Sequence, residues 1–171
     1  MLNPFELFAN PLQSWTDLLK IRHQLKDAGR KIVLTNGCFD LLHVGHIYSL
    51  AKASEFGDEL WVALNSDSSV RTLKGKSRPI FSEQERAFFL SSLKVVSQVF
   101  IFENDTIAHE ILELKPDVYV KSGDYTLETL HSEERKSLET VGSQIQFVPH
   151  LEGISTTKLI GKIQQSITTS D

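Results

Sequence analysis

Residues 35–49 read TNGCFDLLHVGHIYS and gather more chemically capable side chains than any other stretch of the chain. An apolar run, KIVLT, stops at Asn36-Gly37, and His43 and His46 follow, three apart with Gly45 between them. Histidines at that spacing face the same way on a helix. Three kinds of site use such a pair. A zinc site needs further ligands, and Cys38 is the one at hand; the stretch is not HExxH, however, and the chain has no second cysteine. A capped helix start, with Gly45 permitting close packing, is the purely structural alternative. The third is a phosphate site. Imidazole N–H groups donate to phosphate oxygens, a helix N-terminus adds free backbone N–H groups and a favourable dipole, and Gly37 and Gly45 let a phosphate approach the backbone.

Two other stretches suit the third chemistry. Lys74 and Arg78 lie in KGKSRP, a basic loop able to close over a triphosphate, although the composition alone also fits a solvated loop. Ser155, Thr156 and Thr157 open the last helix after Gly153, offering hydroxyls and backbone N–H groups together, and one of them must be the N-cap. No GxxxxGK[ST] or GxGxxG pattern is present, so neither P-loop nor dinucleotide-fingerprint binding is on offer.

The elements that must hold these residues alternate. Short apolar runs at 31–35, 59–65, 98–102, 117–121 and 144–148 predict strands. Between and after them, amphipathic stretches predict helices over 46–56, 82–93, 106–114, 127–140 and 155–167, the second opened by a Ser82/Glu85 capping box. Ahead of the first strand, Ser14 or Thr16 caps a helix ending near Gly29. Near-continuously apolar strands alternating with helices imply an α/β fold, a Rossmann-like, doubly wound, five-stranded parallel sheet covered on both faces. In such a sheet ligands sit beyond the carboxyl ends of the strands. The suspicious residues fall there: Asn36–Asp40 and His43–His46, then Asn65–Asp67, Ser122–Asp124 and 152–157. The organisation expected is an N-terminal helical extension at 1–30, a catalytic domain at 31–167 and a frayed tail at 168–171.

The chain has 171 residues, 40% hydrophobic and 23% charged, ordinary for a soluble domain. With 22 acidic against 18 basic residues its net charge is -4, which gives no support to broad nucleic-acid binding. A single cysteine excludes an internal disulfide and suits a cytoplasmic location. No apolar run approaches the roughly 18 residues of a membrane span, and the start, MLNPFELFANP, lacks the pattern of a secretory signal.

TNGCFDLLHVGH resembles the G-x-F-D-x-x-H-x-G-H signature of the cytidylyltransferase-like nucleotidyltransferases. NSD at 65–67, KGKSRP at 74–79, ER at 85–86 and GISTTKL at 153–159 follow in the order and spacing of that family. LKGKSRPIFSEQER and VKSGDYTLE are similar to segments of the adenylyltransferases of ADP-heptose synthesis, with Ser122 in place of a glycine. EGISTT is closer to the glycerol-3-phosphate cytidylyltransferases, while His150 and Leu151 stand where those carry an arginine.

The resemblance implies an HxGH-type enzyme that moves AMP from ATP to D-glycero-β-D-manno-heptose 1-phosphate, releasing pyrophosphate. The alternatives are a glycerol-3-phosphate cytidylyltransferase or another sugar- or polyol-phosphate nucleotidyltransferase, and a catalytically silent nucleotide-binding module. It further implies Mg²⁺ carried on the phosphates, with Asp40 the acidic residue nearest it and no metal-ligating set of the protein's own. A separate heptose kinase would act upstream, and a homodimer is possible. His43 and His46 are expected on the triphosphate and leaving group, Lys74 and Arg78 on phosphates, and Ser155, Thr156 and Thr157 on the β/γ-phosphates. Asn36, Gly37, Phe39, Asp40, Gly45, Gly123 and Asp124 complete the nucleotide site, Asp67 contacts sugar or base, and Arg86 reaches the acceptor phosphate, with a structural Glu85–Arg86 role the alternative.

Overall fold

The computed structural model describes residues 12–149, 151 and 153–168. Residues 1–11 of the expected extension, His150, Glu152 and residues 169–171 of the expected tail lie outside them. Along the chain run α1 (Trp15–Asp27), β1 (Ile32–Gly37), α2 (Val44–Ser54), β2 (Glu59–Asn65), α3 (Asp67–Lys74), α4 (Glu83–Ser91), β3 (Gln98–Phe102), α5 (Ala108–Leu114), β4 (Val118–Ser122), α6 (Ser132–Val141), β5 (Gln144–Val148) and α7 (Thr156–Thr168).

The strands form one parallel sheet in the order β3-β2-β1-β4-β5. Strands buried on both faces need apolar residues at every position, which explains the unbroken runs. Alternate residues then serve two cores. Val33, Leu60, Val62, Leu64, Val118 and Val120 pack with Leu50 and Ala53 of α2 and Ala87 and Leu90 of α4. Ile32, Leu34, Trp61, Ala63 and Tyr119 pack on the other face with Leu18 of α1, Ile111 and Leu114 of α5 and Leu138 of α6. Helix α1 thus belongs to the packed structure. Its buried Arg22 fastens it to the C-terminal end of α5, donating from Nε to Leu114 O at 3.0 Å and from Nη2 to Lys115 O at 2.7 Å.

The boundaries depart from expectation in ways that matter for the site. Strand β1 runs two residues past Thr35, so Asn36 and Gly37 pair in register with Ala63 and Leu64 instead of starting a turn. Helix α2 begins at Val44 with His43 as its N-cap, which places His46 in the first turn. Helix α3 falls where the pattern suggested a strand-end site running into a loop. Its serine-rich start carries little helix propensity, but Ser66 caps it by accepting from Ser69 N, and Val70 is buried beneath it. In the first helix the cap is Ser14, not Thr16.

Candidate active site

All five strands point the same way, so their carboxyl ends share one edge. Strand order reverses between β1 and β4, the place where a crevice opens in such sheets. The first βα connection fills this edge. Phe39 adopts φ +44, an uncommon conformation for a bulky residue, and Asp40 turns inward until only 3% of it is exposed. One Asp40 oxygen accepts from Ile80 N at 2.6 Å and Phe81 N at 3.2 Å, and the other pairs with Arg78 Nε. This carboxylate therefore tethers the KGKSRP loop to the end of β1. Both its oxygens accept hydrogen bonds from this loop. Arg78 keeps its two η nitrogens without partners among the described residues and so retains a donor fork. Lys74 ends α3 and is exposed.

The histidines lie at the next turn. His43 Nδ1 accepts from His46 N at 3.3 Å, capping α2. A neutral His43 ring that accepts at Nδ1 carries its proton on Nε2. The two rings stack with centroids 3.8 Å apart and planes 18° from parallel, and Phe39 closes against His46 at 5.4 Å. A Cβ at Gly45 would meet the His43 ring at 3.0 Å, and one at Gly37 would meet the Phe39 ring at 3.0 Å. Both glycines were expected to admit phosphate; in the structure they make room for these two rings. The same position at Gly45 is 4.0 Å from Ile154, which brings the start of α7 beside the start of α2. There Ser155 is the cap, its Oγ accepting from Lys158 N at 3.2 Å, with Thr156 half-buried and Thr157 exposed. Gly123, at φ +119, donates to Val148 O at 3.0 Å and links the ends of β4 and β5, while Asp124 is exposed beside it.

Arg86 was expected on the acceptor phosphate or in a structural role with Glu85, and the structure gives it a structural role with other partners. It is 0% exposed. Its Nη1 donates to Cys38 O at 2.7 Å and Asn65 O at 2.9 Å, Nε to Phe81 O at 3.0 Å and Nη2 to Asp67 Oδ1 at 2.7 Å. It clamps the ends of β1 and β2 to the loop ahead of α4, and it occupies the Asp67 carboxylate expected on sugar or base. Asp67 N in turn donates to Glu83 at 2.7 Å. Cys38 sits in this clamp half-buried, and burial pushes its thiol above the usual range, as suits an inert residue.

One group escaped the sequence reading. Lys121, at the end of β4, donates to Asn36 Oδ1 at 2.7 Å, Tyr119 Oη at 3.2 Å and Glu134 Oε2 at 3.3 Å. The Tyr119 hydroxyl lies 2.9 Å from Asn36 Oδ1 and 3.0 Å from Glu134 Oε2. Burial pulls the Lys121 ammonium below its ordinary value, opposed by the Glu134 charge; burial and the same carboxylate hold the Tyr119 hydroxyl well above its own. The signals in the sequence were a lysine near the end of a largely apolar strand, VYVKS, and its place in the segment VKSGDYTLE. Among the described residues no three His, Cys, Asp or Glu side chains gather to hold a metal, and no helix is long and apolar enough to cross a membrane.

A parallel sheet with two helix N-termini, paired imidazoles and a tethered basic loop at one edge is the frame of a nucleotidyltransferase domain. The chain belongs to the cytidylyltransferase-like family, whose model matches residues 34–162. It is 42% identical over 165 residues to the bifunctional protein HldE of Syntrophotalea carbinolica, covering 92% of this chain and 33% of that protein. With the bifunctional protein HldE of Geotalea uraniireducens it shares 50% identity over 139 residues, 81% of this chain and 28% of that one. The chain thus spans about a third of the length of these curated relatives. Among solved structures it is similar to a lipopolysaccharide core biosynthesis protein from Thermoplasma volcanium, with 32% identity and a TM-score of 0.59, covering 72% of this chain and 98% of that one.

Proposed function

We propose that the protein is an HxGH-type adenylyltransferase that moves AMP from ATP to D-glycero-β-D-manno-heptose 1-phosphate, giving ADP-heptose and pyrophosphate. The observation that carries this reading is the 42–50% identity to one segment of the bifunctional HldE proteins. The segments LKGKSRPIFSEQER and VKSGDY, shared in character with heptose adenylyltransferases, support it, as does the likeness to a lipopolysaccharide core biosynthesis protein.

In this reaction an oxygen of the anomeric phosphate attacks the α-phosphorus of ATP. A new P–O bond forms, the bond from the α-phosphorus to the bridging β oxygen breaks, and pyrophosphate leaves with that electron pair. A phosphate monoester is largely ionised near neutral pH, so the work left to the protein is positioning and charge stabilisation. His43, donating from Nε2, and His46 in the first turn of α2 serve the triphosphate and the leaving charge. The N-terminus of α7, with Ser155, Thr156 and Thr157, holds the β/γ-phosphates from the opposite side. Arg78, held by Asp40 through Nε, offers its η nitrogens to a phosphate, and Lys74 approaches from the end of α3. Gly123 and Asp124 border the nucleoside. Mg²⁺ carried on the phosphates would supply further charge neutralisation, with Asp40 the acidic residue beside it. A heptose kinase acts upstream of the acceptor, the site works in the cytoplasm, and a homodimer is compatible with it.

A crossed assay of pyrophosphate release tests the reading, pairing ATP and CTP with heptose 1-phosphate and glycerol 3-phosphate. A pocket fitted to adenine leaves polar groups unpaired with cytosine, at about 1–3 kcal/mol for each buried group. The expected result is kcat/KM at least about tenfold higher for ATP than for CTP with heptose 1-phosphate. Equal values, or a preference for CTP and glycerol 3-phosphate, refute it.

A further inference from the structure

The Asn36–Lys121 hydrogen bond crosses the place where the strand order reverses. Thr35 pairs with Val120 in the β1–β4 register, so Asn36 and Lys121 are the next residues out on adjoining strands. Lysine only donates, so the Asn36 atom 2.7 Å from Lys121 Nζ is the carboxamide oxygen. The Asn36 Nδ2 group therefore faces away from Lys121. It has no hydrogen-bond partner among the described residues, on a side chain that is only half-buried. All three Lys121 protons meet acceptors within the cluster, one of them the Glu134 carboxylate. Lys121 thus has no proton left for a ligand unless the cluster breaks. What it does is act on Asn36: an ammonium on the carbonyl oxygen draws electron density from the amide and makes its N–H groups stronger donors.

Resting on the nucleotidyl-transfer reading, we propose that Asn36 binds an anionic phosphate oxygen at the β1–β4 crevice, and that Lys121, braced by Glu134 and Tyr119, is the positioning residue that presents its amide as a donor. The phosphate comes from the nucleotide or from the acceptor, and the two are separated by which KM responds.

Asn36→Asp is the sharpest variant. It keeps an oxygen for Lys121 and Tyr119 but puts a negative oxygen where the amide donated. A cluster that is merely structural accepts this change, because Lys121 gains a charged partner. The proposal expects a melting temperature at or above that of the wild type with a rise of about tenfold or more in one KM, the size of a lost charge-assisted hydrogen bond. A rise for ATP places the phosphate on the nucleotide, and a rise for the sugar phosphate places it on the acceptor.

Lys121→Met alone strands the buried Glu134 carboxylate, so Lys121→Met/Glu134→Gln carries the positioning test. That pair should raise the same KM with a smaller change in kcat, and should add nothing further in an Asn36→Ala background. Both KM values within about twofold of wild type in folded Asn36→Asp, or multiplicative effects in the combined variant, overturn the proposal. A wild type inactive on every sugar phosphate defeats the proposed function instead. Calorimetric titration of ATP, and separately of heptose 1-phosphate, into wild type and Asn36→Asp then decides the present inference: weaker binding of either upholds it, and equal binding of both overturns it.

Discussion

Replacing Arg86 with methionine separates a clamp from a substrate contact. The guanidinium has 0% exposure and hydrogen-bonds three backbone carbonyls, those of Cys38, Asn65 and Phe81, and the Asp67 carboxylate. The Asp67 side chain is 25% exposed and can recover water, so its loss counts for about 0–1 kcal/mol. The carbonyls have less recourse, the Asn65 bond being fully buried. At the lower end of about 1–3 kcal/mol for each unsatisfied buried group, the three together cost about 3 kcal/mol. For a chain of this size that lowers the melting temperature by about 6–12 °C. Arg86→Lys should recover little, because a single ammonium cannot span the four acceptors that the planar fork reaches. Calorimetric melting gives the stability, and KM for each substrate gives the role. An unchanged melting temperature with a raised KM for the acceptor alone would falsify the clamp and return Arg86 to the substrate.

His43→Asn keeps a good N-cap for α2 but removes the Nε2 donor. The single-turnover rate at saturating ATP should fall about 100-fold with little loss of stability, and a near-wild-type rate would leave His43 a cap and nothing more. Tyr119 stays protonated in the fold well above its ordinary value of 10.0. Above about pH 10 the unfolded chain sheds a proton that the folded one keeps, so stability falls by up to about 1.4 kcal/mol per pH unit. Lys121 acts in the opposite sense, since its lowered value makes the folded state release a proton first as pH approaches 10.5. Comparing wild type with Tyr119→Phe reads the tyrosine together with its effect on the hydrogen-bonded Lys121. The difference in unfolding free energy, wild type minus variant, should decline from about pH 10 upward, and a flat difference across that range would remove Tyr119 from the alkaline response.

What was legible in the sequence followed from local pattern. Val33, Leu60, Val62 and their neighbours announce strands because a two-faced parallel sheet demands apolar residues at consecutive positions. HVGH announces a helix start because a capping side chain and a small residue lie two apart there, although the start falls at Val44 and not at His46. Where local pattern misled, a tertiary partner had decided the outcome. Arg86, on a helix behind a basic loop, looks like a side chain reaching for phosphate; only the juxtaposition of the β1 and β2 ends, with Cys38 O and Asn65 O both within 2.9 Å of Nη1, shows that its charge is already spent on backbone. Asp40 gave no sign in the sequence of tethering the loop 38 to 41 residues further on, where an arginine and two amides donate to it.

The Lys121 cluster lies beyond any window of sequence. Asn36 and Lys121 are 85 positions apart, and they meet because the chain lays β2 and β3 on one side of β1 and then returns to place β4 on the other. That return is what creates the crevice in which ligands of such sheets bind. The reversal that opens the site is therefore also the only route by which β4 delivers a cation to the end of β1. Burying that cation is costly, so it is tolerable only with all its protons met. Glu134 supplies the balancing charge from α6, which covers the opposite face from the histidine-bearing α2. A helix remote in sequence and on the far side of the sheet thus sets the orientation of an amide beside the HVGH turn.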